Sequence, residues 1–239
     1  IMIKHIVISG GSSSGLSMMA ILRKLEEKDI YHIDNIETIW GTSAGSMIAV
    51  MIALKLDWES LYTYISDRPW DKFLTIHPTK VLQSISNKGI LSSFELTRKF
   101  FIPLFKTKDI DIDITLKEFY EKTKIKIMIF TTDVKNLTSV TISYESHPEM
   151  PILKAVSMSN AIPVVFQPVL HEGNYYCDGG LVNNFPILNC VKYLETEYGM
   201  NKESLQSSLL GVKGENQIQS NEEKSVTEES TIFEYFLHL

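Results

Sequence analysis

Twice within its first 56 residues the chain makes the same move: an apolar run stops at glycine and a helical pattern begins. The first run, KHIVIS at 4–9, is rich in β-branched residues and reads as a buried strand. GGSSSG at 10–15 breaks it. Met18, Ile21, Leu22 and Leu25 then fall at i, i+3, i+4 and i+7, the stripe of an amphipathic helix facing a sheet. The second run is Ile36 to Trp40. After the turn that begins at Gly41, the segment to Leu54 is apolar on nearly every face, which suits a helix at the centre of a domain. Strand, turn and helix repeated so early predict an α/β fold, with three α/β/α layers around a mainly parallel, doubly wound central sheet.

Downstream, residues 57–123 are mostly helical in pattern, with DWESLYTYISDR and TLKEFYEKT as clear pieces. Between them, RKFFIPLFK gathers Phe100, Phe101, Ile102, Leu104 and Phe105 around Pro103. Core packing is the ordinary reading of that cluster; a lid or lipid-facing acyl wall is the sharper one. KIKIMIFTTDV (124–134) and SVTISY (139–144) return to strand, and MPILKAVSMSNAIP holds a helix that Pro163 must bound. NYYCDGGLVNNFP is a strand meeting a glycine turn. Residues 215–230 are polar and net acidic and read as a flexible surface segment before the apolar TIFEYFLHL. A single domain over 1–239 is expected, with the motif-bearing core at about 4–190.

Composition removes several function classes. With 44% hydrophobic and 22% charged residues the chain is an ordinary globular sequence. Its formal charge is −6 and no Lys/Arg-rich run stands out, which argues against a nucleic-acid partner. Cys177 and Cys190 are too far apart for a CxxC and no His/Cys group has zinc-ligand spacing, so both read as buried small hydrophobes and no metal is expected. The N-terminal IMIKHIVISGG lacks the pattern of a signal peptide. The uncharged stretch Ala44 to Leu54 falls short of the roughly 20 residues that span a bilayer. A soluble protein is expected, cytoplasmic or peripheral at membranes.

Chemistry concentrates at Gly41-Thr42-Ser43-Ala44-Gly45. In G-x-S-x-G the serine sits on a sharp strand-to-helix turn that pushes Oγ out at the sheet edge, and side chains at the glycines would obstruct strand–helix packing. The following helix N-terminus adds unpaired N–H groups beside developing negative charge. Such a serine needs a base. The α/β-hydrolase template fits poorly, because its nucleophile follows several strands and Ser43 follows about two. Among late histidines, His147 and His171 lie in turn-like polar settings and His238 one residue from the end, with Asp133 as a strand-end acid. Asp178, in YYCDGGL, is either ordinary Asp-Gly turn chemistry or a carboxylate at a strand end, where parallel-sheet sites collect functional groups.

Taken together, GGSSSG (10–15), GTSAGS (41–46) and DGGLVNNFP (178–186) resemble, in order and approximate spacing, the patatin-like phospholipases. MPILKAVSMSNAIPVVFQPV (150–169) resembles the family's Ser-x-Ala-x-Pro-x-x-Phe-x-Pro region, with Ser159, Ala161, Pro163, Phe166 and Pro168 in place. The resemblance implies a Ser–Asp dyad without histidine or metal or other cofactor. Ser43 would attack the ester carbonyl, Asp178 would take its proton, and Gly10, Gly11 and Ser12 would supply oxyanion-hole N–H groups. Gly15, Gly41, Gly45, Gly179 and Gly180 would shape the turns. It also implies phospholipid or lysophospholipid substrates met at a membrane or micelle surface.

One departure stands out: where the family has Gly-Gly-Gly-x-Arg/Lys-Gly, this chain has serine at 12 and at 14. Backbone N–H groups survive both changes but a positive charge at 14 is missing, which bears on rate and head-group preference. Alternatives are a catalytically weak lipid-binding relative, or an acyltransferase using the same dyad. A nucleotide-binding loop is disfavoured, since GGSSSG lacks both G-x-G-x-x-G spacing and a following Lys-Ser/Thr.

Overall fold

A computed structural model describes residues 2–11, 14–68 and 89–214. The expectations for Ser12, His238 and segment 215–230 lie outside the described residues. Strands are β1 (His5–Ile8), β2 (Thr38–Thr42), β3 (Gly89–Leu91), β4 (Lys126–Asp133), β5 (Thr138–Ile142), β6 (Val164–Phe166), β7 (Val169–His171), β8 (Asn174–Asp178) and β9 (Leu209–Val212). Helices are α1 (Gly15–Glu27), α2 (Ala44–Ala53), α3 (Trp58–Ser66), α4 (Ser93–Lys106), α5 (Leu116–Thr123), α6 (Ile152–Ser159), α7 (Ile187–Tyr198) and α8 (Lys202–Ser208).

The core of the main sheet is parallel, as predicted. β1 pairs with β2 and with β9, and β2 with β4, all in parallel. β5, β7 and β8 add antiparallel pairs beyond β4. Successive side chains alternate between two apolar layers. Ile6, Ile8, Ile39, Ile127 and Ile129 face the layer that holds α1, α2, α4, α5 and α6. Val7, Trp40, Met128 and Phe130 face Cys190 and Leu194 of α7. Strands covered on both faces need apolar residues at every position, which is why these runs showed no polar alternation.

The register of β4 fixes where the site forms. Ile129 and Phe130 pair with β2 on one edge and β5 on the other, and Thr131 to Asp133 pair with β5 and β8. A strand edge holds one neighbour at each position, so β2 and β8 share the same edge of β4, end to end. Parallel β2 finishes at Thr42 opposite Phe130, and antiparallel β8 finishes at Asp178 opposite Thr131. The two C-terminal ends therefore meet head to head.

Two expectations change. In α1 the buried face is Met18, Met19 and Leu22, while Ile21 is 43% exposed. Periodicity located the stripe, but sequence does not say which flank the sheet covers. For the cluster at Phe100–Phe105 the ordinary reading, core packing, holds and the sharper one, a lid or acyl wall, is corrected: Phe101, Leu104 and Phe105 are buried in the main core, inside α4. Pro103 sits within that helix and cannot donate to the carbonyl of Lys99. The Arg68 guanidinium donates to that carbonyl instead at 3.0 Å, and the Tyr64 hydroxyl donates to the next one, Phe100.

Candidate active site

Ser43 occupies the single residue between β2 and α2, with φ +50° and ψ −124°. A positive φ with this ψ is sparsely populated for a side-chain-bearing residue and costs about 1–3 kcal/mol. The flanking glycines are there for steric reasons. A Cβ on Gly41 would lie 2.5 Å from the Gly45 carbonyl oxygen, and one on Gly45 would lie 2.4 Å from that of Ile8. The turn closes only because strand and helix backbones touch at these two positions.

Asp178 ends β8 with 5% of its surface exposed. Its Oδ2 accepts the Ser43 hydroxyl at 2.6 Å and its Oδ1 accepts the Gly180 N–H at 2.7 Å. Gly179 lies so close to β4 that a Cβ would stand 2.2 Å from the Phe130 carbonyl oxygen. A Cβ on Gly180 would crowd Asp178 Oδ1 and Asn184 Oδ1, both at 2.9 Å. Burial pushes the Asp178 carboxyl up to about 6, outweighing the bonds from Ser43 and Gly180 that pull it down. The result is a carboxylate whose proton affinity lies close to neutral pH and whose lone pair already holds a hydroxyl. That is the requirement for a general base.

The glycine-rich loop differs in detail from expectation. The N–H of Gly10 donates to the Asn184 carbonyl at 2.8 Å, so Gly10 is corrected from donor to support. The N–H of Gly11 has no acceptor among the described residues. Gly15 is not sterically demanded, since a Cβ there would meet Ala44 at an ordinary 3.6 Å. Ser14, at the family's basic position, is buried, and its hydroxyl has no partner among the described residues. It lies against Gly11 and Gly214.

Among the described residues, no histidine hydrogen-bonds to Ser43 or Asp178. His171 lies 3.3 Å from the Lys154 ammonium, with its ring tilted against that of His147 at a centroid distance of 5.9 Å. Asp133 turns back to accept from the N–H of Lys135 and the side chain of Asn136. Sequence reasoning missed Asn184, whose amide lies against Gly10 and Gly180 beside the Ser43 side chain. It also gave no role to Asn160 or Ser159. The doubled asparagine in DGGLVNNFP was the available signal for Asn184.

The patatin-like phospholipase family profile matches residues 6–191. Probable lipid hydrolase 463L of Invertebrate iridescent virus 6 is 33% identical over 191 residues, covering 80% of this chain and 64% of that protein. Lysophospholipase NTE1 of Kluyveromyces lactis is 25% identical over 76% of this chain and 11% of its own length. This chain thus spans less than two thirds of either relative. Among solved structures, VipD from Legionella pneumophila shares the fold, with a TM-score of 0.59 at 20% identity over 88% of this chain and 49% of VipD. The chain belongs to the patatin-like phospholipase family.

Proposed function

We propose that the chain is a lipid acyl hydrolase that cleaves carboxylic esters of phospholipids or lysophospholipids with the dyad Ser43–Asp178. The observation that carries this reading is the 2.6 Å hydrogen bond from a strained, glycine-flanked serine to a buried carboxylate raised to about 6. In the first half-reaction Ser43 Oγ attacks the ester carbonyl carbon while its proton passes to Asp178 Oδ2. The tetrahedral intermediate collapses, the leaving alcohol takes the proton from Asp178, and the acyl group remains on Ser43. Water then attacks the acyl-enzyme, gives its proton to Asp178, and the fatty acid leaves as Ser43 Oγ regains that proton.

The developing oxyanion needs donors. Gly11 N–H and the N–H groups of Ala44 and Gly45 at the start of α2 are the groups at hand. Gly180 keeps Asp178 oriented through its second oxygen. The lipid class of substrate is supported by family membership and by exposed apolar side chains flanking the catalytic turns. These are Leu181 and Val182 just after Gly180, and Leu16 in the first turn of α1.

Hydrolysis of phospholipid and lysophospholipid vesicles, with wild type, Ser43→Ala and Asp178→Asn, tests the reading. Fatty-acid release by wild type and its loss in both variants is the expected result. Release that survives in either variant would remove that residue from the dyad. Product carrying the acyl group on an added alcohol instead of water would mark a transferase using the same intermediate.

A further inference from the structure

The dyad residues are 135 positions apart in sequence, and each arrives on a different strand end. Three consecutive residues at the C-terminal end of α6 tie both of them down. Ser159 is fully buried, and its Oγ accepts the N–H of Ser43 at 2.8 Å while donating to the Phe130 carbonyl at 2.5 Å. Phe130 is the register partner of Thr42, so Ser159 pins the entry to the strained turn onto the neighbouring strand. The Asn160 side chain donates to the Val156 carbonyl at 2.8 Å and to Ser46 Oγ at 3.0 Å. Ser46 Oγ in turn donates to the Ser43 carbonyl at 2.7 Å. Ala161 completes the set, its carbonyl accepting the N–H of Asp178 at 2.9 Å.

Where these bonds reach the dyad, directly from Ser159 and Ala161 and through Ser46 from Asn160, they act on its peptide groups and not on a reacting atom. The amide entering Ser43, the carbonyl leaving it and the amide entering Asp178 are all fixed to one short stretch of one helix end. The backbone at Ser43, with φ +50° and ψ −124°, is in a sparsely populated conformation that persists only where its surroundings hold it. We propose that Ser159 and Asn160 are positioning residues that hold Ser43 in its strained conformation and set its hydroxyl against Asp178 for proton transfer. This rests on the dyad reading above. It gives a physical role to a serine that family resemblance supplied only as a pattern position, and to an asparagine to which the pattern assigns none.

The test is steady-state hydrolysis of a soluble p-nitrophenyl ester by wild type, Ser159→Ala, Asn160→Ala and Ser43→Ala, each with a pH profile and near-UV circular dichroism. Ser159→Ala should keep its KM and lose about 10- to 100-fold in kcat, the scale expected of a small misplacement of the nucleophile. Asn160→Ala should lose less, in the same direction. In both, the acid limb of the profile should move to higher pH, because Asp178 loses part of the Ser43 hydrogen bond that lowers it. A structural role alone would lower thermal stability without moving kcat or that limb.

Wild-type kcat and an unmoved acid limb in both folded variants would overturn the proposal. If Ser159→Ala does not fold, Asn160→Ala alone decides by the same two readouts. Ser43→Ala separates the failures. Turnover that survives there removes the nucleophile and the clamp with it, whereas turnover lost there but intact in the other two removes the clamp alone.

Discussion

In the proposed mechanism Asp178 carries a conflict between function and stability that can be measured. Raising a carboxyl from its usual 3.8 to about 6 means that the folded state holds the proton more tightly than the unfolded chain does. Its stabilising contribution is complete below about pH 3.8 and is lost as pH rises through about 6; above that, the ionised form costs the fold about 3 kcal/mol. Asp178→Asn should therefore abolish turnover yet raise the thermal midpoint by several degrees at pH 8, with little change at pH 4. An Asn variant less stable than wild type at pH 8 would contradict this account. In the proposed mechanism the same group sets the pH dependence of catalysis, since only the ionised carboxylate accepts a proton. kcat/KM should fall about tenfold per pH unit below about 6. Glycines give a second residue-scale contrast. Gly45→Ala places a Cβ 2.4 Å from a backbone oxygen and should cost more than about 3 kcal/mol, while Gly15→Ala should fold normally. Comparing the urea midpoints of the two variants checks this.

At the scale of elements, the sequence was most legible where one short stretch determined one turn. GTSAG could be read as strand, elbow and helix because its glycines answer to atoms a few residues away and to one neighbouring strand. Asp178 was readable as a strand-end acid for the same reason. What sequence could not supply was pairing. Nothing in NYYCD says that β8 runs antiparallel along the edge of β4 that β2 has just left, and that juxtaposition is what brings Asp178 to Ser43. Ser159 and Asn160 were illegible as contributors because the groups they hold, the Ser43 N–H and Ser46 Oγ, are distant in sequence. For the α4 cluster core packing, the ordinary reading, holds, and the wall or lid does not. The helix continues through Pro103 with the Lys99 carbonyl recovered by Arg68. Arg68→Ala should therefore destabilise the protein by about 1–2 kcal/mol without changing KM, read from chemical denaturation and ester kinetics. A variant as stable as wild type would show that the Lys99 carbonyl has another satisfactory partner.

For the whole molecule, the architecture follows from one constraint: a parallel sheet with two covered faces presents the ends of its strands along one rim. β1, β2 and β9 all finish on the rim where Ser43 stands, and antiparallel β8 reaches the same place from the opposite direction. Two buried thiols report on how well that sheet stays closed. Cys190 of α7 is buried against the sheet, Cys177 lies next to Asp178, and burial pushes their thiols up to about 12 and about 11. Both should resist a disulfide reagent at pH 8 until global unfolding, with one rate for the pair. Early reaction of Cys177 alone would mean that the β8 end opens locally.

The central claim is that the carboxylate activates the serine in the folded resting protein. It is tested most directly by intact-protein mass spectrometry after treatment with a fluorophosphonate, on wild type, Ser43→Ala and Asp178→Asn. The account predicts one adduct on wild type, none on Ser43→Ala and greatly slowed labelling of Asp178→Asn. An unlabelled, folded wild type, or an adduct that persists without Ser43, would contradict it.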